Sequence, residues 1–449
     1  MRNRLAASLA VALCVAGMAA GAGAQEKEDL DAVVAQLPFK DVKYFDLRDE
    51  AITRVTLLSD ALYVETASNK VYAVDRMTGV VRWLFSLDTE APLDFPPVIA
   101  HGVPEERARL EDDLVKVRVR LEDEKKAKNR DMVKLRQLLV RSREIQETHR
   151  VLCERDNFYC ISKGWLFCLD RMGGQVFWRK DLSRLPLPII PAAPPFASRT
   201  HVFVPDIKLD RVYPIEVGRQ DALLHLQAAG DITSQPVYED PSSYFTSHDG
   251  FVYCFNVNGR LTWRHETQGP IKGGAAIGIR RWTEGEGKQK HDVIEKTCYV
   301  GSTDMGFYAF DADGGNLRWK YETGAIMQTP AVAVGDTVYV KTENGALLAL
   351  NVKPLHKDEA GKVIGERRDG ELRWRIPLGE RFVVKTPSRV YVLGKDTQLI
   401  GVEEMTGTLK SRHDLTAFPF ILTNTIDGTL YLVHPSGHFY VCRESKTEF

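Results

Sequence analysis

Short runs in which apolar and polar residues alternate recur along this chain from about residue 42 to its end, always in one order. The order apolar, aromatic, small, apolar, Asp-like is carried by Val71-Tyr72-Ala73-Val74-Asp75, Leu166-Phe167-Cys168-Leu169-Asp170, Val252-Tyr253-Cys254-Phe255-Asn256 and Phe307-Tyr308-Ala309-Phe310-Asp311. It returns in Leu347-Leu348-Ala349-Leu350-Asn351 and Leu399-Ile400-Gly401-Val402-Glu403. Two looser copies, Val212-Tyr213-Pro214-Ile215-Glu216 and Phe439-Tyr440-Val441-Cys442-Arg443, bring the number to eight. Alternation with a period of two, bounded by turn residues, predicts short strands.

A second column follows each copy. Trp83, Trp178 and Trp319 lie eight residues after Asp75, Asp170 and Asp311, Trp263 lies seven after Asn256, and Trp374 stands in the sixth copy. Between the columns sit turn glycines such as Gly79, Gly174 and Gly315. The Asp or Asn side chain is expected to cap the turn, the glycine to supply a positive φ, and the tryptophan to open the next strand. With the alternating run upstream of each copy, every unit becomes a four-stranded antiparallel sheet. Setting aside the leader and the insertions leaves about 43 residues per copy, the length of a propeller blade. One such sheet cannot bury both faces, whereas eight set radially bury each face against a neighbour. The predicted fold is all-β: an eight-bladed β-propeller over residues 42–449, with residues 25–41 as an N-terminal linker. The last copy supplies only three strands, so Val42 to Leu47 is expected to return as its fourth and close the ring.

The equal placement of the tryptophans argues that they pack between blades and do not form a stacking platform for a ligand. Cys168 and Cys254 share the small-residue column with Ala73, Ala309 and Ala349, which makes them compact core residues. Cys153 and Cys160 differ. Val151 to Ile161 reads as a hairpin turning at Asp156-Asn157, a register that sets the two opposite each other; a cross-strand disulfide or a pair of free buried thiols satisfies it. His434 and His438 have metal-like spacing, but Pro435-Ser436-Gly437 between them forms a turn, so an ordinary hairpin loop is expected.

The largest break in the rhythm runs from Pro104 to Arg150. Leu110, Leu114, Val117 and Leu121, then Met132, Leu135 and Leu139, follow helical spacing. The sheet resumes afterwards, so both ends of the insertion meet at one blade, which predicts an antiparallel helical hairpin of coiled-coil type inserted in blade 2 and turning near Lys126 to Asn129. It carries 14 Lys and Arg against 11 Asp and Glu. A cationic group at its tip, Lys125, Lys126, Lys128 and Arg130, is the candidate partner contact; a solvated decoration is the alternative. Two smaller insertions, Arg280 to Lys296 and Lys353 to Arg368, are assigned to an A–B and a C–D loop. If the helical arm also enters between strands A and B, all three share one face of the ring.

Composition narrows the function. With 60 basic and 61 acidic residues the formal net charge is −1, which argues against a coat for nucleic acid. Arg2 and Arg4 precede an apolar run, and Ala22-Gly23-Ala24 follows, so residues 1–24 form an expected signal peptide and the mature chain a periplasmic or secreted protein. Cys14 follows the bulky Leu13 in mid-run, so no lipid anchor is expected. No later stretch has the length of a transmembrane helix.

The Asp-x-x-Thr-Gly-x-x-x-Trp pattern, complete from Asp75 to Trp83, resembles the PQQ-like, or quinoprotein-type, propeller repeat, and the whole is similar to BamB-like periplasmic propeller proteins. Blade 3 lacks the tryptophan and blade 7 has Ser411 in its place. The resemblance implies two functional classes. Some such propellers are dehydrogenases that hold pyrroloquinoline quinone and calcium over the channel, with a vicinal Cys-Cys ring; no two cysteines are adjacent here, so no cofactor and no catalytic residue is expected. The expected function is a non-catalytic exported scaffold for protein–protein interaction in the cell envelope, as in outer-membrane protein assembly. The alternatives are a quinone-dependent enzyme and a small-ligand or polysaccharide-binding propeller using loop aromatics such as Trp165 and Trp282.

Overall fold

The computed structural model describes residues 25–444 except 48–50, 101–103, 127–130, 199, 221–224, 257–258, 285–290, 353–355, 358–362 and 365–368. The expected signal peptide lies outside the described residues. Eight four-stranded antiparallel sheets form a ring, seven of them running in chain order from strand A at the axis to strand D at the rim. Blade 1 is typical: Ile52–Leu58, Ala61–Thr66, Lys70–Asp75 and Val81–Ser86. Blade 8 takes Phe420–Ile421, Leu430–Val433 and His438–Arg443 from one end of the chain and its outer strand, Asp41–Asp46, from the other. Asp41 pairs with Arg443 and Asp46 with His438. The ring is thus closed by the two ends of the chain.

The repeat has a packing cause. On strand C the small residue lies between a strand B tyrosine and the strand D tryptophan: Ala73 between Tyr63 and Trp83, Cys168 between Tyr159 and Trp178, Ala309 between Tyr299 and Trp319. Cys254 and Ala349 hold the same place in blades 4 and 6. The two rings stand 5.8–6.2 Å apart over it in all five blades. A longer side chain would strike one of them.

Eight clusters of buried apolar side chains fill the eight junctions between blades, one each. The tryptophans are their outer members. Trp83 lies on Gly174 of blade 2 and donates its indole N–H to the Arg171 carbonyl at 2.8 Å; Trp263 does the same to Ala312 and Trp374 to Glu404. In blade 7, where Ser411 replaces the tryptophan, the ring of Phe39 stands 5.1 Å from Tyr391 instead. The expected linker is therefore structured: residues 25–35 form helix α1, and Leu30, Val34, Leu37 and Phe39 join the cluster between blades 7 and 8. The 4- and 3-residue steps from Leu30 to Leu37 are an amphipathic signal that the linker reading passed over.

Helices α2 (Pro104–Lys126) and α3 (Met132–Arg155) lie side by side between strand A (Val98–Ile99) and strand B (Asn157–Ser162) of blade 2. Leu114, Val117 and Leu121 of α2 are the sheltered positions, with Leu135, Leu138 and Ile145 on α3. The α3 stripe differs from the expected one: Met132 and Leu139 are 68% and 41% exposed. The Val151 to Ile161 hairpin is not formed either. The helix runs on to Arg155, and strand B pairs with Trp165–Asp170, setting Cys160 opposite Phe167 as a buried free thiol. Residues 151–155 never enter the sheet, so the geometry behind the Cys153–Cys160 disulfide is absent.

A candidate partner-binding face

In every blade the A–B and C–D turns emerge at one end of the ring, because strands A and C run parallel to each other. The arm leaves from an A–B connection, in blade 2. The blade 5 insertion is a second: Ala276–Glu284 and His291–Gly301 stay paired from Ala276 with Tyr299 out to Glu284 with His291, so it is a lengthened hairpin and not a loop. The blade 6 insertion joins strands C and D and holds a two-stranded ladder, His356–Lys357 against Val363–Ile364. All three therefore rise from the same face. At this end the A strands of blades 1 to 4 and the A–B connection of blade 8 line a cavity of about 540 Å³, with Leu57, Ile99, Phe196, Val237, Tyr238 and Ile426 among its walls.

The root of the arm is fixed by buried charge. Asp156, the first residue after α3, accepts from Arg171 Nε at 2.6 Å and Nη2 at 3.2 Å. The remaining Arg171 nitrogen, Nη1, reaches Asp60 Oδ1 in the A–B turn of blade 1 at 2.6 Å. Asp60 Oδ2 accepts from Arg82, which also donates to Asp75 at 2.6 Å. Arg171 and Asp156 are 1% and 2% exposed. Burial would raise the Asp60 carboxyl, but the Arg82 hydrogen bond and the Arg171 charge outweigh it and hold the group below its usual range. Burial is likewise overcome at Asp75, which the Arg82 and Thr78 hydrogen bonds bring to about 2. Breaking such a buried pair from one side costs about 3–5 kcal/mol. The sequence reading missed this network, although Asp75-Arg76-Met77 and Asp170-Arg171-Met172 are identical triplets. Arg76 performs the matching task one blade earlier, reaching Asp427 at 2.8 Å.

The repeat residues sit in the turns between strands C and D. Asp75 Oδ1 accepts from the Met77 and Thr78 amides, Asp170 Oδ2 from Gly173, Asp311 Oδ1 from Gly314 and Asn256 Oδ1 from Arg260, all at 2.7–3.0 Å. Gly79, with φ +73°, donates to the Asp75 carbonyl at 2.9 Å and seats Phe45. Trp178 packs with Tyr159 between blades 2 and 3. Of the cationic tip, Lys125 pairs with Glu122 at 3.0 Å and Lys126 ends α2; Lys128 and Arg130 lie outside the described residues. His434 turns onto Ser436 at 2.6 Å and His438 onto the Tyr44 hydroxyl at 2.7 Å, on the opposite face. Among the described residues no three His, Cys, Asp or Glu side chains are placed to hold a metal. Trp165 opens strand C of blade 2 and Trp282 lies near the end of strand A of blade 5, on opposite faces, so they form no cluster.

Comparison with known proteins agrees with this architecture. Residues 162–354 match a family model described as outer membrane protein assembly factor BamB, which bears out the resemblance read from the repeat. The crystal structure of BamB from Moraxella catarrhalis superposes with a TM-score of 0.57 at 13% identity, covering 91% of this chain and 100% of that one. A computationally designed protein, Ika8, gives a TM-score of 0.47 at 12% identity over 88% of this chain and 96% of its own. The search of curated proteins finds no match. No described helix is long and apolar enough to cross a membrane.

Proposed function

We propose that this PQQ-like β-propeller is a non-catalytic scaffold of the cell envelope, exported to the periplasm or beyond it, that binds a protein partner in outer-membrane protein assembly through its A–B/C–D face. The observation that carries the reading is the gathering of all three insertions on that face, with the largest rooted in a buried ion network. Loops on a rigid frame are where such folds place recognition. A non-catalytic role is supported by the thiols: burial pushes Cys168 up to about 12 and Cys254 up to about 11, which removes them as nucleophiles.

The test is affinity capture from envelope extracts with the intact mature chain and with one whose residues 104–155 are replaced by a short Gly-Ser link. A partner retained by the first and lost by the second is the expected result. Equal capture by both, or dye reduction on adding pyrroloquinoline quinone and calcium, would overturn the reading.

A further inference from the structure

Resting on that reading, we infer that the outward face of α3 takes an acidic amphipathic helix from the partner and so completes a three-helix bundle with the arm. Leu135, Leu138 and Ile145 turn α3 towards α2. Two residues before these, about 200° around the helix, Val133, Arg136, Val140 and Arg143 follow a 3-4-3 spacing on the opposite side, flanked by Met132 and Leu139. The apolar members are 67% exposed at Val133, 49% at Val140, 68% at Met132 and 41% at Leu139. An apolar seam of that period is the form in which one helix receives another.

Charge selects the occupant. From Met132 to Ile145, α3 carries Lys134, Arg136, Arg141 and Arg143 against Glu144 alone. Lys134 is paired with Glu124 at 2.7 Å and Arg141 with Glu144 at 3.5 Å, whereas Arg136 and Arg143 are exposed and have no acidic partner among the described residues. These two stand inside the seam. A second copy would set the same cations against them. A lipid surface would have to accept two guanidinium groups within the apolar stripe, and residues 104–155 contain no Phe, Tyr or Trp to anchor there. A helix presenting Glu or Asp beside its apolar positions satisfies both the seam and the cations. From Met132 to Arg143 the face is about 16 Å long, some three turns of partner helix.

The test uses the full mature chain and two synthetic peptides of about 21 residues, three heptads. Both carry leucine at the core positions, one flanked by glutamate and the other by lysine, and binding is followed by fluorescence anisotropy. The acidic peptide is expected to bind at least about tenfold tighter. R136E/R143E should invert that order, and V133D/V140D should weaken the acidic peptide by about the same factor, with thermal melts unchanged since all four side chains are exposed. No binding of the acidic peptide, equal binding of both, or an uninverted order would overturn the inference. So would sedimentation of the chain by phosphatidylglycerol vesicles, or an arm-dependent dimer, where the acidic peptide fails. If arm-dependent capture from extracts persists while the acidic peptide fails, only this inference falls; if capture does not depend on the arm, the scaffold reading falls.

Discussion

Gly174 allows the packing between blades to be weighed against a control within the same blade. It sits at φ +70°, and a Cβ built on it would lie 2.6 Å from Cγ of Trp83 in the preceding blade. Gly164, in the B–C turn, has φ +73° and nothing within 4 Å of its Cβ position. Gly164→Ala therefore meets only the left-handed backbone cost, about 1–2 kcal/mol. Gly174→Ala adds a collision with a ring that is itself hydrogen-bonded and boxed in by Tyr63 and Phe158, for a further 1–3 kcal/mol or so. Trp83→Ala should cost about 3–5 kcal/mol, but in that background the collision is gone, and adding Gly174→Ala should cost no more than the control. Urea midpoints of the four variants and the parent, followed by fluorescence, measure the cycle. Equal losses from the two glycine substitutions, or an undiminished loss when Trp83 is absent, would refute the account of the tryptophans as wedges between blades.

Burial pushes the Glu65 carboxyl up to about 7 against the pull of Arg54. Its folded value lies above the unfolded one, so its contribution is complete below about pH 4.5 and is lost as pH rises through 7, an effect on the order of 3 kcal/mol. Glu65→Gln should flatten the fall in thermal stability between pH 5 and 8, and an unchanged pH profile would count against it. The five described thiols, Cys160, Cys168, Cys254, Cys298 and Cys442, are all buried and free; they should resist a disulfide-exchange reagent at pH 8 until the chain is unfolded, and non-reducing digestion should yield no Cys153–Cys160 peptide. Replacing residues 104–155 while keeping Asp156 should leave the melting temperature of the ring almost unmoved, whereas Arg171→Leu, which strands Asp156, should cost about 3–5 kcal/mol.

The ring was legible because its cause is local and repeated. A small residue between two aromatic rings recurs in five blades, four of them with a capped turn and a tryptophan at nearly fixed offset, the alternating run returns in all eight units, and the missing outer strand of the last copy announced its own replacement. What escaped depends on single contacts between distant segments. Nothing near Ser411 says that Phe39, far back in the chain, fills the gap it leaves. Nothing near residue 150 says that the helix continues to the point where Asp156 meets Arg171. The α3 stripe was read from Met132, Leu135 and Leu139, but which of two apolar seams faces α2 is decided by the partner helix, and it is the one through Leu138 and Ile145.

The two Asp-Arg-Met triplets show how an ordinary joint becomes an anchorage. Arg76 ties blade 1 to blade 8 through Asp427 in its A–B turn and the Tyr431 hydroxyl, a link between neighbouring blades. Arg171 makes the same link to Asp60 but has a second carboxylate, Asp156, at the foot of α3. Because Arg171 and Asp156 are both nearly inaccessible, tilting the arm at its C-terminal root would expose or separate charges at a cost of several kcal/mol. The foot of α3 is thus held to two blades at once through Asp156, which spares a partner that meets the arm part of the ordering entropy that association with a loosely tethered segment would lose.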